Sequence, residues 1–140
     1  MRFGVLTTTA GVVLLLSSLA TIVKAEQIIS GETDVECTLD EVMACIHGGE
    51  CRRGSAASFD FPPTMIVDVD RELIRAIDEK GMVTASAVKS RKVTEKSAIL
   101  QGIEDHRGWT IGIDRMDGTL SMSSTGPEVQ FMIMGKCAEK

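Results

Sequence analysis

The chain has 140 residues, of which 44% are hydrophobic and 4% aromatic, and its formal net charge at pH 7 is −5. This length accommodates one domain, and the acidity argues against nucleic acid or an anionic membrane surface as a partner. The sequence contains neither Asn nor Tyr, which excludes N-glycosylation and a tyrosine-rich binding face.

Residues 1–25 have the pattern of an export signal. Arg2 gives a basic start, residues 5–23 are apolar or small and uncharged, and Val23-Lys24-Ala25 suits a signal peptidase. Cleavage after Ala25 is preferred to cleavage after Ala20, because Glu26 then begins the polar chain. An uncleaved anchor is the alternative, since residues 5–23 almost reach the length of a membrane span, but their Thr, Gly and Ser residues weaken such a span. We therefore expect a periplasmic or secreted protein with no stable membrane anchor after cleavage.

The exported part contains four cysteines, Cys37, Cys45, Cys51 and Cys137. An even number in an oxidising compartment predicts two disulfides, and three pairings are possible. We favour Cys45–Cys51, because the segment between them is short and rich in Gly, which leaves Cys37–Cys137 to join the start of the domain to its last strand. A zinc site is the alternative, but the spacings contain no close pair of the C-x2-C type.

A short helix is predicted near residues 38–47. Thr38-Leu39-Asp40-Glu41 has the form of a capping box, and Gly48 follows as a possible helix end. The apolar positions that recur at helical spacing are Leu39, Val42, Met43 and Ile46. This helix would belong to a disulfide-bonded N-terminal segment, residues 26–58, that closes one end of the domain.

Residues 59–140 show short apolar runs separated by turn residues about every eight to twelve positions, which is typical of an antiparallel β domain. Apolar residues alternate with polar ones in four predicted half-buried strands: Met65/Val67/Val69, Val83/Ala85/Ala87, Trp109/Ile111/Ile113 and Leu120/Met122. Asp117-Gly118 is the clearest hairpin turn. The last strand, residues 129–137, is apolar on both faces, so we expect it to be central.

Residues 70–80 allow two interpretations. Leu73, Ile74 and Ile77 would share one face of a helix, or a turn at Asp70 would precede a strand from Leu73 to Ile77. We favour the turn and strand, because the sequence of residues 67–71 is echoed by residues 111–115, where a hairpin is much clearer. The sequence as a whole predicts an all-β fold, an antiparallel meander of about seven or eight short strands forming a small sandwich or partly open barrel.

The chain resembles a family of small exported bacterial proteins with no assigned activity. The resemblance rests on the N-terminal cysteines and on the pattern W-x-x-x-I-D, D-G-T and F-x-x-x-G-x-C, which begins at Trp109 and ends at Cys137. It covers most of the exported part. It implies a periplasmic β domain and carries no catalytic or binding residues onto positions of this sequence.

Candidate residues for chemistry are few. A hydrolase would need His47 or His106, but neither accompanies a G-x-S-x-G elbow, and residues 104–108 read as an exposed turn. Asp68 and Asp70 form a carboxylate pair that we interpret as solubilising charges. Trp109 is interpreted as a core residue whose indole N–H finds one partner.

Methionine is the most notable excess in the composition. Met122, Met132 and Met134 could, if they cluster in space, offer thioether sulfurs to Cu(I), but their apolar neighbours favour the filling of gaps in the core. The leading expectation is a non-enzymatic periplasmic or envelope module that binds a small ligand or another protein, without a cofactor. Copper handling and a small hydrolase are the alternatives.

Overall fold

The structure, a computed structural model, describes residues 28–140, so the predicted export signal lies outside the described residues. Within that range the chain forms strands β1 (Val35–Ile46), β2 (Cys51–Gly54), β3 (Thr64–Asp68), β4 (Leu73–Ile77), β5 (Val83–Val93), β6 (Ser97–Glu104), β7 (Arg107–Asp114), β8 (Thr119–Thr125) and β9 (Val129–Glu139), with a short 3-10 helix (Ala56–Phe59) after β2. The all-β prediction is confirmed.

Eight of these strands form a closed antiparallel barrel. The sheet runs β1-β3-β4-β5-β6-β7-β8-β9, and β1 also pairs with β9 along its whole length, from Val35 opposite Glu139 to Ile46 opposite Val129. β2 is an additional strand, paired with the second half of β1 on the edge whose first half is taken by β3. Closure supplies β9 with two neighbours, as its apolar sequence predicted, and removes the free edges of the sheet.

The helix predicted near residues 38–47 is wrong, because this segment is the central part of β1. Side chains point inward at every second residue up to Leu39, but a β-bulge between Leu39 and Glu41 shifts the alternation, so that the next inward side chain is Val42. The bulge therefore creates an apolar spacing of three residues inside a strand. That spacing imitates one turn of a helix. The N-terminal segment accordingly supplies strand β1 of the barrel wall, and only its residues before β1 lie across one end of the barrel.

The turn and strand favoured for residues 70–80 are confirmed, with β4 at the predicted residues Leu73–Ile77. The predicted buried face of β5 is wrong in its first half. Val83 is 56% exposed, whereas Ser86 pairs with the buried Ile74 and faces the barrel interior. Thr84, two residues nearer the turn, lies on the same face of β5 but is exposed.

Both predicted disulfides are present, and each joins residues directly opposite each other on neighbouring strands. Cys37–Cys137 links β1 to β9 at a Cα–Cα distance of 4.0 Å, and Cys45–Cys51 links β1 to β2 at 4.1 Å. Cys37 and Cys137 are buried in the core. The long-range disulfide thus locks the two strands whose pairing closes the barrel. The two bonds fit an oxidising extracellular environment.

One end of the barrel is closed by the segment that precedes β1. The side chain of Ile29 is 1% exposed, and its backbone N–H and that of Ile28 both donate to the carbonyl of Arg115. The Arg115 guanidinium in turn donates to the carbonyls of Ile29, at 2.9 Å, and of Ser30 and Thr94. We call this the plugged end. None of the helices in residues 28–140 is long and apolar enough to cross a membrane.

Candidate ligand-binding site

The opposite end of the barrel, which we call the open end, carries a cavity. An eight-stranded barrel is just wide enough to be filled by side chains or to hold one small ligand. Here the interior near the open end contains a chamber of about 150 Å³. Its wall is mainly apolar and is contributed by strands from all sides of the barrel, through Leu39, Met65, Ile74, Trp109, Ile111 and Met122. We call this space the inner chamber.

Trp109 forms one wall of the inner chamber and is held in place by two contacts. Its side chain is 6% exposed, and its indole N–H donates to the Ser86 hydroxyl at 3.0 Å, which confirms the predicted core position with one polar partner. Its ring lies against Gly102, the residue directly opposite on β6. The ring therefore has a fixed face toward the chamber, which is what a preformed binding site requires.

The polar groups of the chamber come from the first half of β5 and from the end of β6. Thr84 and Ser86 contribute small hydroxyl side chains from one face of β5, and Glu104 lies at the rim. Small side chains leave room, and hydroxyls can donate or accept a hydrogen bond. An apolar chamber with a few convergent polar groups is the usual composition of a small-molecule site.

A wider depression of about 420 Å³ lies outside the chamber and shares four lining residues with it, Phe61, Pro62, Ala76 and Thr84. We call it the vestibule. It lies between the connection from β2 to β3 and the β4–β5 hairpin, and its other walls are Ala57, Asp60, Asp78, Glu79, Lys80 and Met82. The two spaces together offer an apolar interior beneath a charged entrance.

An aromatic cluster holds Phe61, which lines both the chamber and the vestibule. The Phe61 ring meets the Phe131 ring edge to face, with 4.9 Å between centroids, and Phe59 contacts Phe131 at 6.4 Å in the same manner. The Arg107 guanidinium covers the Phe131 ring at 5.1 Å and donates from both Nη atoms to the Val129 carbonyl at 3.1 Å. Phe61 is thus fixed by packing, and the following Pro62 stiffens the backbone.

The three methionines proposed as copper ligands do not meet on one face. Met122 points into the barrel and lines the inner chamber. Met132 and Met134 lie on the outer face of β9, 54% and 42% exposed, on either side of the fully buried Ile133, the residue opposite Met122. The alternation of side chains along neighbouring strands therefore separates Met122 from the other two.

The two histidines lie in exposed turns at the open end. His106 occupies the two-residue β6–β7 turn, where it and Asp105 both have positive φ. His47 follows β1 and borders a depression of about 170 Å³ whose described lining includes no Ser or Thr side chain. The described lining of the depression beside His47 therefore offers no Ser or Thr hydroxyl as a nucleophile.

The interpretation of Asp68 as a solvated charge is wrong. Asp68 is buried, with 4% exposure, and its carboxylate pairs with Arg75 at 3.3 Å and with Arg71 at 3.4 Å. Asp70 lies beyond the end of β3 and is exposed, so the two carboxylates do not share a strand face. The pair of arginines explains the burial, because an unpaired buried carboxylate would be costly.

The cavity residues on β5 and in the connection from β2 to β3 were not singled out from the sequence. A usable signal was the polar alternation of Thr84 and Ser86 in a strand whose alternate positions are Val83 and Ala85. Among the described residues, no group of three or more His, Cys, Asp or Glu side chains could hold a metal ion. Comparison with protein-family models and with curated proteins finds no match for this chain.

Proposed function

We propose that this protein is a non-enzymatic binding module of the exported compartment, and that it holds a small, largely apolar ligand in the open end of its barrel. The observation that carries the proposal is the inner chamber, an apolar space of about 150 Å³ beneath a vestibule of about 420 Å³. Small-molecule sites in proteins are concave, mostly apolar and largely preformed.

The inverted face of β5 supports the same proposal. A strand that places Thr84 and Ser86 on the face lining the chamber and leaves Val83 exposed loses apolar burial. Places where local sequence pattern and structure disagree are expected at functional sites. A ligand in the chamber would meet these hydroxyls and would cover the apolar surface near the entrance.

Two features support the proposed location. The predicted signal segment and the two disulfides are both typical of exported proteins. Together with the inner chamber, they support a ligand-carrying or ligand-sensing role in the periplasm or outside the cell.

Binding of a small neutral probe, hexan-1-ol, can be followed by tryptophan fluorescence. Trp109 is the only tryptophan of the chain and forms a wall of the chamber, so its emission reports on this site alone. A cavity of about 150 Å³ accommodates about six carbon atoms, the size of benzene. We expect saturable changes in Trp109 emission, with a dissociation constant in roughly the millimolar range for so small a ligand.

Two matched alanine substitutions test the location. Ala76→Phe places a ring in the region shared by chamber and vestibule, whereas Ala85→Phe places the same ring on the exposed outer face of β5. We expect Ala76→Phe to abolish the hexanol response and Ala85→Phe to preserve it. Equal responses in both variants would refute the chamber as the binding site.

A further inference from the structure

The side chains that line the vestibule and the rim of the inner chamber carry an excess of negative charge. The vestibule is lined by the carboxylates of Asp60, Asp78 and Glu79, and the rim of the inner chamber by that of Glu104. Lys80 is the one cationic side chain among the described residues that line either space. A cleft whose walls carry one sign of charge raises the local concentration of ligands of the opposite sign.

Within residues 28–140, these four carboxylates take part in no salt bridge. The salt bridges found in residues 28–140 use other acidic residues, namely Asp34, Glu36, Glu41, Asp68 and Asp117. Asp78 is oriented by the backbone N–H groups of Lys80, at 2.9 Å, and Met82, at 2.8 Å. Such hydrogen bonds fix the direction of the carboxylate and leave its net charge in place.

The cationic residue opposite Glu104 on the neighbouring strand does not form an ion pair with it within the described part of the chain. Arg107 is the residue opposite Glu104 across the β6–β7 turn, but its guanidinium is engaged with the Val129 carbonyl and the Phe131 ring. Glu104 forms no salt bridge within residues 28–140, although the positive charge of Arg107 remains in the open end.

We propose that the ligand of the barrel is a small amphipathic cation, with an ammonium group in the vestibule and an apolar tail of about six carbons in the inner chamber. This inference rests on the proposed function and adds the sign of the ligand charge. A carboxylate or phosphate ligand of the same shape would meet an excess of like charge at the entrance, so the same groups discriminate against anions.

Three probes of equal tail length test the sign of the charge: hexylammonium, hexan-1-ol and hexanoate, each titrated into the disulfide-bonded exported protein while Trp109 emission is recorded. With a net excess of carboxylates around the ammonium group, we expect hexylammonium to bind about tenfold more tightly than hexan-1-ol, and hexanoate to bind more weakly than both. Raising the ionic strength to about 1 M should remove most of the difference, because salt screens exposed charges.

The outcomes separate this inference from the proposed function. Equal affinities for the three probes, or tighter binding of hexanoate, would overturn the cationic ligand and leave the chamber as a binding site. Binding of none of the probes would overturn both.

A matched pair of substitutions locates the effect. Glu79→Gln removes a vestibule charge and Glu32→Gln removes an exposed charge in the segment at the plugged end, so both change the net charge equally. We expect Glu79→Gln to weaken hexylammonium binding about two- to fivefold, with hexan-1-ol unaffected. If Glu32→Gln weakens it as much, the preference comes from the overall charge of the protein and the inference is wrong.

Discussion

Gly102 and Trp109 lie directly opposite each other on β6 and β7, and the indole ring occupies the space that a side chain at Gly102 would need. A Cβ atom at Gly102 would lie 2.1 Å from Cζ2 of Trp109 and 2.7 Å from the Ala87 carbonyl oxygen. The absence of a side chain on β6 therefore determines how the largest residue of the core faces the chamber.

Gly102→Ala should displace the indole and break its hydrogen bond to Ser86, because neither the ring nor the Ala87 carbonyl can move far in a packed barrel. We expect a loss of about 1 to 3 kcal/mol in the free energy of unfolding and a red shift of the native emission. Gly108→Ala is the matched control, since a Cβ at Gly108 meets nothing within 4 Å. If urea denaturation gives the same midpoint for both variants, the contact does not constrain Trp109.

The disulfides should contribute unequally to stability. The sequence separation is 100 for Cys37–Cys137 and 6 for Cys45–Cys51. In the loop-entropy description the longer bridge stabilises by about 2 kcal/mol more than the shorter one. We expect Cys37→Ala/Cys137→Ala to unfold at clearly lower urea concentration than Cys45→Ala/Cys51→Ala. Because Cys37 and Cys137 are buried, replacing them with Ala also removes packing contacts in the core, which lowers stability further. Coincident unfolding curves for the two double variants would contradict this ranking.

The sequence predicted correctly those features that depend only on residues close together in the chain. The short segment between Cys45 and Cys51 folds as a hairpin, and Asp117-Gly118 turns with Gly118 at a φ of +72°. The sequence prediction failed at β1, because a bulge is created by pairing with β9, which no local pattern reports. The apolar spacing around the bulge then resembles a helix.

The candidate site was harder to foresee, for reasons of the same kind. Which face of β5 turns inward is set by its pairing with β4, and the register brings Ser86 opposite the buried Ile74. Likewise, the methionine excess was visible in the sequence, but only the closed barrel assigns Met122 to the interior and Met132 to the outer face. The contact of Arg115 with Ile29 joins segments far apart in the chain and had no local signal.

Stability should depend on pH through Glu139 at the plugged end. Hydrogen bonds from Ser30 lower the pKa of the Glu139 carboxyl below its ordinary value of 4.5, with the Arg115 charge acting in the same direction. Because the folded pKa is lowered, this contribution is fully present above the unfolded pKa and is lost as the pH falls through the folded pKa. The ionised Glu139 carboxylate thus stabilises the attachment of the segment that carries Ile29.

The Glu139→Gln variant checks this assignment by thermal unfolding as a function of pH. We expect its melting temperature to lie below that of the unsubstituted protein at about pH 7, and the difference to shrink as the pH falls below 4.5. Glu128→Gln, in the exposed β8–β9 turn, is the matched control and should leave the melting temperature at about pH 7 unchanged. A difference for Glu139→Gln that is constant across this range would mean that the carboxylate charge has no part in holding the segment.

The proposed export predicts a defined mature chain. From the Val23-Lys24-Ala25 site we expect the protein recovered from the exported fraction to begin at Glu26 and, with all four cysteines in disulfides, to resist alkylation without prior reduction. Intact mass spectrometry measures both properties in one experiment. Retention of residues 1–25, or incorporation of an alkylating reagent into the unreduced protein, would be contrary to the assigned location.

The most direct test of a ligand site in the open end is an NMR titration of the disulfide-bonded protein with hexylammonium, observed through backbone and indole N–H signals. The account predicts saturable shifts at Thr84, Ser86 and the Trp109 indole N–H, with unchanged signals at Met132 and Met134 on the outer face of β9. Shifts confined to the outer face, or no saturable shift at the chamber residues with any of the three six-carbon probes, would contradict it.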